Sequence, residues 1–320
     1  MITAPDSLHF GPRLDVAAHS SIGEGERPRT ENQDNYLLID VNGNAAFLAN
    51  QQASTAKVGG WPQGHARLAV LDGMGGHGHG REAAEAVVAG MLAMPACATP
   101  DELADRLGTL HHHLQAVFGA DTQLDRRPGT TLTLLEVPPG KPALLFHVGD
   151  SRLYKVAGGR VEPLTVDHVP ATAFAMAGLI GETEWWQQVH GEHRSQISQA
   201  FILGNAFANP AQLEDPLYPL SPRELPDFLR HLQDRRAVEL EPGADYLLAT
   251  DGFWSCPDAA AWVSRWPAVL ASEQSAASAC SALFEEIRDN PPPDLHSDNL
   301  TAVLLRVRAE PAADETALPG

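Results

Sequence analysis

Arg67-Leu68-Ala69-Val70-Leu71-Asp72-Gly73-Met74-Gly75-Gly76-His77-Gly78-His79-Gly80 is the stretch from which the rest of the chain is best understood. Residues 67–71 form a short apolar run that reads as a strand, and an aspartate follows at once. Five glycines then fall in the nine residues from Asp72 to Gly80, so the backbone there can approach an ion or a phosphate closely. Residues 81–94 are rich in Ala and other good helix formers, which predicts a helix whose free N–H groups lie beside the glycines. No Gly-Lys-Ser/Thr follows, so this is not a nucleotide P-loop. His77 and His79 suggest zinc, but the further His or Asp partners that such a site needs are not close by.

The same small event recurs along the chain: a strand end meets an aspartate beside Gly or Asn. It happens at Leu71-Asp72-Gly73, Val148-Gly149-Asp150, Thr250-Asp251-Gly252 and, with the strand following, Ser297-Asp298-Asn299. Taken singly, each reads as a turn or a helix cap. Taken together, they point to carboxylates converging at one end of a sandwich, because neighbouring strands lie only about 4.8 Å apart. Such carboxylates repel one another unless cations sit between them, and oxygen-only ligands suit hard cations such as Mg²⁺ or Mn²⁺.

Around these sites, residues 14–18, 36–41, 45–48, 130–137, 143–148, 151–156, 245–250 and 299–307 read as strands. Helices are expected over 100–118, 222–235, 259–266 and 273–288, a loop over 50–65, and a tight turn at Gly149-Asp150. Strands outnumber helices and no regular βαβ repeat appears, so the expected class is α+β with antiparallel sheets. No internal repeat or convincing linker divides the chain: 14–308 reads as one domain, preceded by a short extension at 1–13 and followed by a disordered tail at 309–320. Three consecutive histidines, His111-His112-His113, point about 100° apart on a helix and read as a solvated face. Trp185-Trp186 and the apolar stripe near Phe228 read as packing.

Acidic residues outnumber basic ones 41 to 22 in the 320-residue chain, giving a formal charge of -19. That balance disfavours nucleic acid and anionic lipid as partners. Cys97, Cys256 and Cys280 form no CxxC pair, which fits a reducing compartment. No signal peptide or apolar span of roughly 18 residues is present, and the cytoplasm is the expected location.

In order, these motifs resemble those of one family, the metal-dependent serine/threonine protein phosphatases of type 2C (PPM), in its bacterial branch. The resemblance runs through Arg29-Thr30-Glu31-Asn32-Gln33-Asp34, Asp72 to His77, Gly129-Thr130-Thr131, Gly149-Asp150-Ser151-Arg152-Leu153-Tyr154, Asp167-His168, residues 247–252 and Asp298-Asn299-Leu300-Thr301. It implies a four-layer α-β-β-α sandwich of two packed antiparallel sheets flanked by helices. It also implies two Mn²⁺ or Mg²⁺ ions and room for a third. Asp72 would bridge the pair, the Gly73 carbonyl would be a further ligand, and Asp251 and Asp298 would complete the shell. Asp34 would sit in or beside it through water, Asp150 would serve the third ion, and Arg29 would bind the substrate phosphate.

The activity so implied is hydrolysis of phosphoserine and phosphothreonine in proteins, opposing a Ser/Thr kinase, by a water activated between the metals. The alternatives are a silent phosphatase-like docking module and a small-molecule phosphatase. The chain is expected to be a monomer. Three positions depart from the family: Gln33 stands where many members have Glu, Met74 where animal relatives have a His acting as general acid, and Val169 where Ser is usual. His77 is then the candidate proton donor. Residues 169–209 would correspond to the flap beside the site, and 210–239 to a longer insert.

Overall fold

The computed structural model describes residues 1–5, 7–23, 29–75, 79–120, 127–191, 196–207, 209 and 211–309. Along the chain the strands are β1 (Ile2–Thr3), β2 (Leu14–Ser21), β3 (Asn35–Ile39), β4 (Asn44–Ala49), β5 (Gln52–Lys57), β6 (Ala66–Leu71), β7 (Gly73–Met74), β8 (Gly129–Thr130) and β9 (Leu132–Val137). They continue with β10 (Ala143–Val148), β11 (Arg152–Ala157), β12 (Arg160–Pro163), β13 (Gln199–Ala200), β14 (Gly204–Asn205), β15 (Arg235–Val238), β16 (Asp245–Ala249) and β17 (Leu300–Val307). Helices α1 (His79–Ala93) and α2 (Pro100–Gly119) lie between β7 and β8, and α3 (Pro170–Met176) and α4 (Glu182–Trp186) follow β12. The last three, α5 (Ala259–Val263), α6 (Trp266–Ala271) and α7 (Ala276–Asp289), lie between β16 and β17.

Two antiparallel sheets carry the architecture. One is six-stranded, β1-β2-β17-β16-β11-β12; the other is seven-stranded, β15-β10-β9-β6-β3-β4-β5. Their inner faces meet through Ala18, Tyr36, Leu38, Leu68, Val70, Leu248, Val303 and Leu305. The outer face of the seven-stranded sheet packs Leu37, Ala69, Leu71 and Leu134 against α1 and α2. That of the six-stranded sheet packs Leu247, Ala249, Ala302 and Leu304 against the helices of residues 259–289. This is the expected α+β arrangement of four layers. The central strands are buried on both faces, so they read as continuous apolar runs rather than alternating ones. Double burial also pins register, because a slip of one residue would exchange the two faces.

Residues 50–65 are not a loop throughout. β5 pairs with β4 from Asn44↔Lys57 to Ala49↔Gln52, and the hairpin turns at Asn50 and Gln51, both with positive φ (50° and 62°). This edge strand, Gln-Ala-Ser-Thr-Ala-Lys, is largely exposed and has no apolar face to betray it. The helix expected over 222–235 is replaced by a single 3₁₀ turn, Asp227–Leu232, after Pro226, and Arg235 already begins β15. Gly149-Asp150 does not close a hairpin, because β10 and β11 belong to different sheets. Gly149 has φ of +105°, and a Cβ there would lie 2.5 Å from the Thr131 side chain. The 310–320 part of the predicted tail lies outside the described residues. Among the described residues no helix is long and apolar enough to cross a membrane.

The three-histidine face is corrected most sharply. His112 and His113 are exposed, but His111 is fully buried. Burial pushes its pKa down to about 4, and that of the buried His147 down to about 3. Both folded values lie below the unfolded value, so the neutral forms are favoured in the native state. Their contribution to stability is whole above pH ~6.5 and is lost as pH falls toward the folded values. The expected outcome is a fall in unfolding free energy on the order of 1 kcal/mol per pH unit for each histidine between pH 6 and 5. Urea denaturation across that range measures it, and His147→Gln should flatten the slope.

Candidate metal centre

Both sheets send aspartates to one end of the sandwich. In the seven-stranded sheet β3 and β6 are antiparallel neighbours with Asn35 opposite Leu71, so Asp34, just before β3, lies beside Asp72, just after β6. In the six-stranded sheet Ala249 stands opposite Ala302, which brings Asp251 beyond the end of β16 and Asp298 before the start of β17 to the same edge. Asp150 lies where the chain crosses from β10 to β11, and it is buried.

The charges feel one another. Burial first, and then repulsion from Asp34, Asp251, Asp150 and Asp298, raises the Asp72 pKa well above the ordinary carboxylate range. Asp34 is also raised well above it, chiefly by burial, with Asp298 and Asp251 adding to the effect and hydrogen bonds from Thr250 and Thr301 opposing it. Asp298 is raised by burial and by Asp251, against the pull of Arg29 and the Asn299 backbone. The other four predicted aspartates therefore all lie within electrostatic reach of Asp72.

The carboxylates are held from behind by neutral donors. The Thr250 hydroxyl donates to Asp34 Oδ2 at 2.8 Å and accepts from the Thr301 backbone N–H at 2.9 Å, tying the two sheets together. Thr131 Oγ1 accepts from the Asp72 N–H at 2.9 Å, and the Thr131 N–H donates to the Asp72 carbonyl at 2.9 Å. The Ser255 hydroxyl donates to the Asp251 carbonyl at 2.9 Å. Asn299 Oδ1 accepts from the Gln33 N–H at 2.8 Å, while its Nδ2 donates to the carbonyls of Ile22 and Glu31. Gly73 is enclosed: a Cβ would lie 2.4 Å from the Gln33 carbonyl oxygen and 2.3 Å from that of Gly80.

Arg29 is half-exposed and donates from Nη2 to Asp298 Oδ2 at 2.7 Å. The chain segment that carries it is anchored by Glu31, whose Oε1 accepts from Arg81 Nε on α1 at 2.6 Å. The predicted proton donor, His77, lies outside the described residues.

Among the described residues no group of three or more His, Cys, Asp or Glu side chains stands arranged to grip a metal ion as placed. The donor set nevertheless fits a hard cation: it is all oxygen and crowded with like charge, and both the burial and the repulsion that raise these pKa values are costs a divalent ion would offset.

Sequence reasoning overlooked the supporting residues. Thr250, Thr301, Ser255 and Asn299 sit one to four places from the aspartates and carry no signal of their own. The pair Glu31–Arg81 joins residues 50 positions apart. The Gly149–Tyr154 motif and Asp167-His168 also divide in a way the sequence does not reveal. Arg152 is buried, forks onto both oxygens of Asp167, and donates to Tyr154 Oη and the Val189 carbonyl. Its guanidinium lies 4.7 Å over the Trp254 ring. That pair fastens the segment after β12 to the sheet, while Asp150 raises the Asp72 pKa and the Ser151 hydroxyl bonds that of Thr131 at 2.6 Å beside the acidic centre.

No family model matches the sequence, and no curated protein matches it. Solved structures do. The serine/threonine phosphatase of S. agalactiae superposes with a TM-score of 0.64 at 20% identity, over 92% of this chain and 100% of that one. The catalytic domain of the serine threonine protein phosphatase PstP, solved with two manganese ions, gives 0.58 at 22%, over 92% and 99%. MsPP of Mycobacterium smegmatis, a PPM Ser-Thr phosphatase solved with cacodylate, gives 0.57 at 23%, over 93% and 100%. The chain has the fold of the bacterial PPM serine/threonine phosphatases.

Proposed function

We propose that this chain is a member of the PPM family and a metal-dependent phosphatase of phosphoserine and phosphothreonine in proteins, opposing a Ser/Thr kinase. The observation that carries this reading is the cluster of five mutually repelling aspartates, from both sheets, beside a half-exposed arginine. The manganese ions in PstP support a dinuclear Mn²⁺ or Mg²⁺ centre.

In this reading Asp72, Asp251, Asp298 and the Gly73 carbonyl would hold the two ions. Asp34, hydrogen-bonded by Thr250, would support them through water, and Asp150 would serve a third ion. When bound, the ions supply an activated water for in-line attack on phosphorus and neutralise the phosphoryl oxygens. Arg29 presents a planar donor fork to the phosphate. Its present partner, Asp298, is a carboxylate that a cation would engage instead, which leaves the guanidinium to the substrate. Thr131, Thr250 and Asn299 keep the carboxylates in place, so little reorganisation is needed when phosphate enters. Met74 cannot donate a proton to the leaving alkoxide, and His77 is the proposed donor.

Two outcomes test this. With saturating Mn²⁺ the protein should hydrolyse a phosphopeptide and an aryl phosphate, and Asp251→Asn should lose roughly 100-fold or more, about 2.7 kcal/mol of transition-state stabilisation. Absence of a difference between the two proteins defeats the proposal. Mn²⁺ binding without turnover would indicate the silent docking module, and a preference for phosphometabolites the small-molecule enzyme. Separately, in EDTA, Asp251→Asn should melt higher than the wild type, because one repelling charge is gone. Adding Mn²⁺ should raise the wild type's melting temperature and raise the variant's much less.

A further inference from the structure

His111 lies on α2, far along the chain from any predicted site residue, and it is fully buried. Its two ring nitrogens have different partners. Nδ1 faces the backbone N–H of Ile202 at 2.9 Å, and Nε2 faces the carbonyl oxygen of Asp215 at 2.7 Å. A backbone N–H can only donate and a carbonyl can only accept. The imidazole must therefore be neutral, with its proton on Nε2. One helical turn on, Gln115 Nε2 donates to the Ile202 carbonyl at 3.0 Å and to the Asp215 carbonyl at 2.8 Å. Two adjacent side chains on one face of α2 thus grip the same two backbone segments.

What they grip is strained. Ile202 has φ of +70°, a conformation that a β-branched residue avoids. The residue before it leads to the acidic centre. Phe201 and Thr130 exchange backbone hydrogen bonds of 2.9 and 3.1 Å, and Thr131 in turn exchanges bonds with Asp72 through its N–H and hydroxyl. The second gripped segment is joined to the first: Asn205 and Glu214 exchange backbone bonds of 2.8 and 2.6 Å, and Arg127 bonds both the Asp215 carboxylate and the Leu203 carbonyl.

We propose that His111, with Gln115, is a positioning residue that latches the 199–207 and 211–216 segments onto α2 and thereby sets the place of Asp72 at the metal centre. The latch rests on the metal-dependent reading above, but its own geometry does not depend on turnover. The grip holds the strained turn at Ile202, and the short path through Phe201, Thr130 and Thr131 carries any release of that turn to Asp72. The groups that face His111 are the ring of Phe201, 5.1 Å away, together with His112, Asp215 and Arg127. Burial is the first cause of its lowered pKa and outweighs the bond to the Asp215 carbonyl, so the neutral, latched form persists through the physiological range.

The test uses the full chain. In the wild type, ¹⁵N shifts of the His111 ring should report the Nε2–H tautomer without titration from pH 8 to 5. A proton on Nδ1, or a titration in that range, overturns the assignment. His111→Phe keeps the ring contact and removes both hydrogen bonds. It should speed amide exchange at Phe201 and Ile202 by about tenfold and weaken Mn²⁺ binding, read by calorimetry, by a similar factor. Unchanged exchange overturns the latch. Faster exchange with unchanged Mn²⁺ affinity overturns its connection to Asp72. If His111→Phe does not fold, Gln115→Met carries the same two measurements with a smaller expected effect. If the wild type binds no Mn²⁺, the metal reading of the site fails, while the exchange measurement still decides the latch.

Discussion

Like charges are held together at one end of this sandwich against their own repulsion, and much of the surrounding structure serves that arrangement. Asp34 and Asp72 come from one sheet and Asp251 and Asp298 from the other, so the cluster can form only if both sheets keep register and stay packed. The driving force that does this is remote from the charges. It is the burial of Leu68, Val70, Leu248, Val303 and Leu305 between the sheets, and of Leu71, Leu134, Leu247 and Leu304 beneath the helices, each worth about 1.5–3 kcal/mol when fully buried. Apolar packing thus supplies the free energy that polar function consumes.

A buried carboxylate without a cation needs donors, and the chain supplies neutral ones. The Thr250 hydroxyl and the Asn299 backbone N–H donate to the carboxylates of Asp34 and Asp298, and the Ser255 hydroxyl and the Thr131 backbone N–H donate to the carbonyls of Asp251 and Asp72. Neutral donors are the physically sensible choice. A lysine or a second arginine in their place would cancel the charge that draws a divalent ion. Arg29 is the one cation that touches the cluster among the described residues, and it is half-exposed, where an incoming dianion can compete for it. By contrast Arg152, with its carboxylate partner Asp167, is sealed away and acts as a fastener. Two arginines in matched motifs have opposite uses, and burial distinguishes them.

The parts of this design that the sequence made legible are those with local chemistry. A strand end meeting an aspartate is visible because strand, turn and carboxylate are contiguous, and so Asp72, Asp150, Asp251 and Asp298 could be read from the residues, while Asp34 and the four-layer sandwich came from the family resemblance. Elements whose identity depends on distant partners could not. β5 is polar and exposed, and only its hydrogen bonds to β4 make it a strand. Residues 222–235 have helical spacing, but Pro226 and the demand of β10 for an edge partner divide them. His111-His112-His113 shows the limit most clearly. Nothing in the triplet separates its first member from the others, and the distinction comes from Ile202 and Asp215, about a hundred residues away.

Those distant partners also divide the site into rigid and adjustable portions. On the rigid side, Gly73 lies so close to the carbonyls of Gln33 and Gly80 that no side chain could be added without moving the backbone. The loop bearing Asp34, the backbone at Gly73 and the start of α1 are therefore packed too closely to move independently, and Glu31–Arg81 ties the first and last of these from outside. On the other side, the segment around β13 meets the edge of the centre at the Phe201–Thr130 bridge and is held from behind by His111 and Gln115 as well as by its short pairing with β14. The Thr130–Thr131 stretch is bonded to both portions, to Phe201 on one side and to Gly73 and Asp72 on the other, so it is the junction at which the two meet.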